Sequence, residues 1–388
     1  TFPGGLNAKG ALTSGAGLPV ANFNSAATGL ALARKQTAYD SVWGDCDSLY
    51  MLDMWQLRHF NLENSRILEG CTSYNLQYKV AAAETGVKRV LLTASQASGF
   101  IVGSTVSVGD KGSNSSADRY NTWMRDIADK VKVKSIETVT VGGTDYSAVN
   151  LDVADSFDVP ETAYISSMPW HSGATEALPG HSDGAPGSLT NGKYPCRWAG
   201  VEMLNGAYVI GLDPLWNVTT VDGGVTYTAM ACRDSEKEAS SVTANHVKVA
   251  EKTFTSVNAW NYELSMQNDS TESLLPDKTG GGETVGMKSA FYVNGSAGVR
   301  CPWRYGNLNN AGIAGAACAN GNNSPANSNW NGVPRPTEIL RHSPKLCRIA
   351  LCYPCRKLKS CETDTAPGFG RGYALRAHGG ASSRTLRP

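Results

Sequence analysis

The hydrophobic pattern changes period several times along the chain, and each change marks a candidate element. Residues 1–40 are rich in Gly, Ala and Ser, nearly uncharged and without a sustained period. Such a stretch buries little by itself, so it reads as an extended arm that needs a surface to lie against. From Asp40 the texture changes. Leu49, Leu52, Met54 or Trp55, Phe60 and Leu62 recur at near-helical spacing over 48–68, with Gly70 as a stop, which predicts an amphipathic helix. Residues 88–110 switch to strand texture, and DRYNTWMRDIADKVKV (118–133) reads as short strands or a helix. TVGGTDY then sets two glycines between alternating runs, a hairpin signal. This succession predicts a small inserted β-barrel or β-sandwich. Residues 160–195 read as a long loop region, and 199–220, 223–232 and 288–296 supply further strands. The pattern as a whole predicts an α+β fold.

Composition adds a boundary. Hydrophobic residues make up 41% and charged residues 18% of 388, enough to build a core and against wholesale disorder. The net charge of +1 hides an asymmetry: residues 337–388 hold ten Lys and Arg against three Asp and Glu, whereas the rest holds 25 against 31. Blocks so different seldom share one folded unit, which sets 337–388 apart as a basic, Cys-containing extension. No run of about eighteen apolar residues exists, so no membrane insertion is expected. A start at Thr1 without Met suggests processing, and no signal peptide is visible. Cys46, Cys71, Cys196, Cys232, Cys301 and Cys318 are scattered singly and read as buried reduced thiols.

Candidate chemistry is sparse. Cys352 and Cys355 form a CxxC with Cys347 and Cys361 nearby. The spacing lacks the two separated knuckles of a zinc ribbon, so a plain basic extension is the favoured reading. Its charge alone, without interleaved aromatics, does not point to nucleic acid. His171, His181 and Asp183 share a loop whose spacing matches no known ligand set. There is no GxSxG elbow and no HExxH. The expectation is a protein that is not an enzyme and has no cofactor or metal.

One segment stands out. Residues 300–336 read RCPWRYGNLNNAGIAGAACANGNNSPANSNWNGVPRP and hold nine Asn: 307, 309, 310, 320, 322, 323, 327, 329 and 331. Asn favours turns because its amide bonds to its own backbone, and it offers donors and an acceptor without charge. Trp303, Ile313, Cys318, Trp330 and Val333 recur between them as residues of buried type. A backbone pinned at intervals, with short polar side chains at the free positions, reads as a rigid display surface rather than a linker.

This segment resembles the variable region of the variable proteins of diversity-generating retroelements, particularly those of gut bacteriophages and bacteria. Supporting stretches are YNLQYKVAAAETGVKRVLL (74–92), YPCRWAGVEMLNGAYVIGLDPLW (194–216) and LLPDKTGGGETVGMKSAFYVNGS (274–296). The resemblance implies an N-terminal attachment arm (1–40) and a C-type-lectin-like domain over 41–95 and 161–336. It also implies an inserted β-rich subdomain over 96–160. In such systems an error-prone reverse transcriptase substitutes at template adenines, so Asn codons are the hot spots. Trp303, Gly306, Ala311, Gly312, Ser324, Ser328, Gly332 and Arg335 would be scaffold. CPW and VPR stand where the family often shows GGxW and GFR, and the EPN and WND signatures of calcium-dependent lectins are absent.

The expected function is a receptor-binding adhesin on a phage tail or fibre, in the virion or at a bacterial cell surface. Arg304, Tyr305 and Trp330 are the expected fixed contacts. Asn307, Asn309, Asn310, Asn320, Asn322, Asn323, Asn327, Asn329 and Asn331 are the adaptable ones. Expected partners are a host-cell receptor, protein or glycan, and other tail proteins, in a homotrimer. The alternative is a structural virion or cell-surface protein whose Asn-rich segment packs against neighbouring subunits. An enzyme of the sulfatase-modifying branch of the same fold ranks last.

Overall fold

The alternating stretches fold as strands, and strands dominate. In the computed structural model, which describes residues 2–63, 69–178 and 190–338, strand accounts for 38% and helix for 12%. The described strands form several separate sheets, none closed into a barrel. The expectation of an α+β, C-type-lectin-like domain with an inserted small β-barrel or β-sandwich is therefore corrected: the described residues are mostly β, in several sheets without barrel closure. The helical signals are few and short. Among the described residues they give α1 (Ala26–Ala33), α2 (Asp45–His59) and the single turn α3 (Ala94–Ala97).

The β-rich region is an open six-stranded sheet. Its order is Gln77–Lys79, Ala163–Met168, Thr105–Asp110, Ala128–Val141, Thr144–Leu151, Arg89–Leu92. It therefore recruits strands from both sides of 96–160. The hairpin forms where the two glycines predict it, with Val141 opposite Thr144. Gly142 and Gly143 take φ of 59° and 81°, the left-handed region that a tight two-residue turn demands. Val90, Leu92, Val106, Val108, Val149 and Ile165 bury its inner face.

The Asn-rich segment is sewn into a second sheet of seven strands. Their order is Pro276–Thr279, Ala259–Met266, Ala290–Val293, Ala319–Asn320, Trp303–Arg304, Tyr208–Ile210, Gly332–Pro334. Three of the seven, Trp303–Arg304, Ala319–Asn320 and Gly332–Pro334, come from residues 300–336. A four-stranded sheet of His246–Phe254, Gly224–Cys232, Leu215–Val221 and Gly298–Arg300 leads into the segment.

The two stretches ahead of these sheets differ from the sequence reading in instructive ways. Residues 1–40 find their surface at home: Leu12, Ala26 and Leu30 pack with Tyr208, Ile210 and Trp303. Small residues make this possible, since a Cβ on Gly29 of α1 would stand 2.5 Å from Pro334 Cβ. The strand Pro336–Glu338 pairs with Asp40–Val42, so the chain closes back on the start of the same core. Helix α2 starts at Asp45, three residues before the predicted span, and stops at His59, where Phe60 turns left-handed (φ 49°). Met51, Leu52 and Trp55 are buried, whereas Phe60 is 91% exposed. Asp45 and Asp47 in the first turn and Arg58 and His59 in the last complement the helix dipole.

Candidate binding face

The expected fixed contacts are buried, and this corrects their assignment. Arg304 is fully buried. Its Nε donates to Asp45 Oδ1 (2.8 Å) and its Nη2 to Asp45 Oδ2 (2.7 Å). Nη2 also donates to Leu274 O (2.7 Å) and Nη1 to Ala317 O (3.3 Å). The Leu274 amide returns a hydrogen bond to Asp45 Oδ2 (2.9 Å). Burial pushes the Asp45 carboxyl up, and the Arg304 guanidinium and Leu274 N–H pull it back. One planar fork thus ties the start of α2, the 274 strand approach and the 316–318 turn together, with every ion-pair atom partnered.

Tyr305 lies against the same helix. It is fully buried, its hydroxyl donates to Ser48 Oγ (3.1 Å) and accepts from Trp43 Nε1 (3.1 Å), and burial pushes its phenol up to about 12. Trp330 is 5% exposed, with its carbonyl accepting from Asn22 Nδ2 (3.0 Å). Trp303 and Arg335 are buried as the scaffold reading expects, the Arg335 guanidinium 4.8 Å from the Trp43 ring centre. Ala311 and Ser328, expected as scaffold, are exposed instead. The segment's large side chains point into three different clusters: Tyr305 packs with Met51 and Trp55 of α2, Trp303 with Leu30 of α1, and Trp330 with Tyr74 and Trp170.

The Asn divide into two kinds. Asn307 and Asn329 are buried and act as structural amides rather than contacts. Asn310, Asn320, Asn323 and Asn331 are half-buried, and Asn309, Asn322 and Asn327 are exposed. Five of the nine turn their side-chain carbonyl onto backbone amides. Asn307 accepts from Asn309 N (2.8 Å), Asn310 from Asn307 N (2.8 Å) and Asn320 from Asn322 N (2.9 Å). Asn327 accepts from Ser324 N (3.2 Å) and Asn329 from Trp330 N (2.7 Å). These local bonds fix irregular backbone where no ladder does. Asn309 and Asn322 instead accept from side chains outside the segment, Asn75 and Asn294.

Sequence reasoning missed those two partners. Pairings across hundreds of residues leave no local signal. His171 Nε2 shares a hydrogen bond with Lys130 O (2.7 Å), and burial lowers its pKa. His181, Asp183, Cys347, Cys352, Cys355 and Cys361 lie outside the described residues. Among the described residues no group of three or more His, Cys, Asp or Glu could hold a metal ion. The six single cysteines are all buried except half-buried Cys46. Two grooves, of about 660 and 330 Å³, are lined by residues such as Trp260, Tyr262 and Lys278, and Leu49, Asp53 and Met266. Neither includes a residue of 300–336.

No protein-family model matches the sequence, and no curated protein matches it.

Proposed function

We propose that this chain is a binding protein that presents residues 309–328 as a diversified recognition face, serving attachment to a host cell as a receptor-binding adhesin of a phage tail or fibre. One observation carries the reading: the segment alternates short buried strands with loops that expose Asn309, Asn322 and residues 326–328, while residues 314–319 between them stay buried. Loops held by a rigid scaffold are where binding residues concentrate. Exposed amides can be exchanged without touching a core. The likeness to variable proteins of diversity-generating retroelements supplies the means of exchange, substitution at adenines of Asn codons.

Sequencing sibling copies of the gene tests this. Substitutions should gather at Asn309, Asn310, Asn322, Asn323 and Asn327, and spare Trp303, Arg304, Tyr305 and Arg335. Downstream DNA should carry a near-copy of the 300–336 coding segment beside a reverse transcriptase gene. Invariance across siblings, or changes spread evenly over buried and exposed positions, sinks the proposal.

A second reading, assembly with neighbouring subunits, is favoured by a different surface. Tyr50, Leu57, Phe60 and Leu62 on and after α2 are 52–91% exposed, and grouped exposed apolar residues mark contact sites. Sedimentation of the wild type beside Leu57→Glu checks it: a trimer dissociated by the substitution supports assembly through this face, and an unchanged mass excludes it.

A further inference from the structure

The larger of the two grooves, about 660 Å³, is lined by residues 252–256, 260–262, 264 and 277–281. Strand alternation makes its floor. Asn261 and Glu263 are buried, so Trp260, Tyr262 and Leu264 share the opposite face of the strand Ala259–Met266, where they are half-buried. Successive side chains on one face lie about 7 Å apart, which gives a floor of about 14 Å. The Trp260 ring is braced: it meets the Tyr292 ring edge-on at 5.3 Å, from the facing position of the next strand. The chain around the floor is tied in place. Asn261 Nδ2 donates to Ser256 O (3.1 Å), Gln267 Nε2 to Glu251 O (2.8 Å) and Gly280 N to Tyr262 O (2.9 Å). A Cβ on Gly280 would stand 3.7 Å from Leu264 Cδ1, so glycine leaves that end of the floor uncovered.

The polar groups lining the groove with these rings are mixed in kind. Asp277 and Lys278 are exposed. Lys252 Nζ donates to the Asp277 carbonyl, and Asp277 Oδ2 accepts from Ser265 Oγ (3.1 Å). The Lys278 ammonium and the hydroxyls of Thr255 and Thr279 have no hydrogen-bond partner among the described residues. An ammonium only donates, a carboxylate only accepts, and a hydroxyl does both. That mixture selects a ligand. Each hydroxyl of a sugar donates and accepts, and the C–H face of its ring is flat and apolar, so it lies against an aromatic ring. A nucleic-acid strand would also stack, but it needs a cationic track. Here Asp277 interrupts the two lysines, and residues 1–336 hold 25 basic against 31 acidic residues. A peptide that adds a strand needs a sheet edge, whereas these rings stand on a sheet's face.

We propose that this groove is a binding site for a neutral oligosaccharide, separate from the Asn-rich segment. Trp260 and Tyr262 stack the sugar rings, and Lys252, Asp277, Lys278 and Thr279 hydrogen-bond their hydroxyls. A concave site with apolar walls and a few converging polar groups is the usual form of a small-ligand site. The inference does not depend on the display reading, because no residue of 300–336 lines the groove.

Calorimetric titration of the full chain with cellohexaose, maltohexaose, mannohexaose and chitohexaose tests it, beside a hyaluronan hexasaccharide and oligothymidylate. Binding to at least one neutral hexamer is expected. Trp260→Ala should weaken it by about tenfold or more, as the loss of a central aromatic contact does. Lys278→Ala, on an exposed side chain, should weaken it about fivefold at an unchanged melting temperature. A triple variant, Asn309→Ala with Asn322→Ala and Asn327→Ala, should bind the hexamer as the wild type does. Binding to none of the neutral hexamers overturns the site. Sugar binding that Lys278→Ala leaves untouched and the triple variant loses overturns it too, and leaves the display reading standing. Tighter binding of hyaluronan or of oligothymidylate overturns the neutral-sugar assignment, in favour of an acidic glycan or of nucleic acid.

Discussion

The stretch from Trp303 to Leu308 and the loops between Asn309 and Ser328 belong to one low-complexity segment, yet they obey different physics. The first is wholly buried, and its polar atoms are answered by Asp45, Ser48 and Trp43, more than 250 residues away. The second answers many of its polar atoms locally, through Asn side chains folded back on nearby amides, while exposed Asn309 and Asn322 reach Asn75 and Asn294. Long-range partners make a position unforgiving, and local ones leave it free. Similar composition therefore conceals opposite tolerance to change.

The largest effect that could break this contrast is at Arg304. Arg304→Ala leaves the buried Asp45 carboxyl without its cationic partner, and should cost about 4 kcal/mol in urea unfolding. A loss below about 1 kcal/mol, the range of exposed ion pairs, would erase the distinction. Tyr305→Ala should cost about 3 kcal/mol, through lost packing and two lost hydrogen bonds. If instead it left stability intact and abolished partner binding, the residue would be a surface contact after all.

A third effect of comparable size is set by pH. Glu263 is fully buried beside Arg304 and Cys318, accepts from Ser289 Oγ at one oxygen, and has no hydrogen-bond partner for the other. Burial pushes its carboxyl from 4.5 to about 7. Between those values the unfolded chain holds fewer protons than the folded one, so stability falls as pH rises through the window and levels off above it. The drop should be about 3 kcal/mol, and Glu263→Gln should flatten it.

Smaller effects sharpen the contrast among the Asn themselves. Asn307→Ala removes a buried carbonyl that holds Asn309 N and should cost about 1 kcal/mol. Asn322→Ala, on an exposed side chain, should stay within about 0.5 kcal/mol of wild type. Equal losses at both would mean that burial does not separate the two kinds.

The sequence carried the local decisions well. The Gly142–Gly143 turn and the strand texture on either side of it are encoded within a few residues, and the structure keeps them. The helix near 50 was also legible, but its end was not. Phe60 and Leu62 fit a helical period, and only the left-handed turn at Phe60 shows that they leave the core. Fold class failed because short helical signals weigh more in a linear reading than in a molecule whose sheets gather strands from everywhere. The site was half legible. That the segment is pinned was readable from its spaced Trp and Cys. That Arg304 and Tyr305 are pins depends on Asp45 and Ser48.

The way the segment threads its sheet bears on what kind of novelty it can carry. Trp303 pairs with Asn320 and Arg304 with Ala319, Ala319 lies beside Phe291 in parallel register, and Val333 lies beside Val209. Adding or deleting one residue inside the Trp303–Arg304 or Ala319–Asn320 strand would reverse which side chains face inward, expelling Arg304 from its partner. Exchanging a loop side chain disturbs none of these pairings. The face is thus an alphabet with a fixed word length: it can be rewritten letter by letter, and not lengthened.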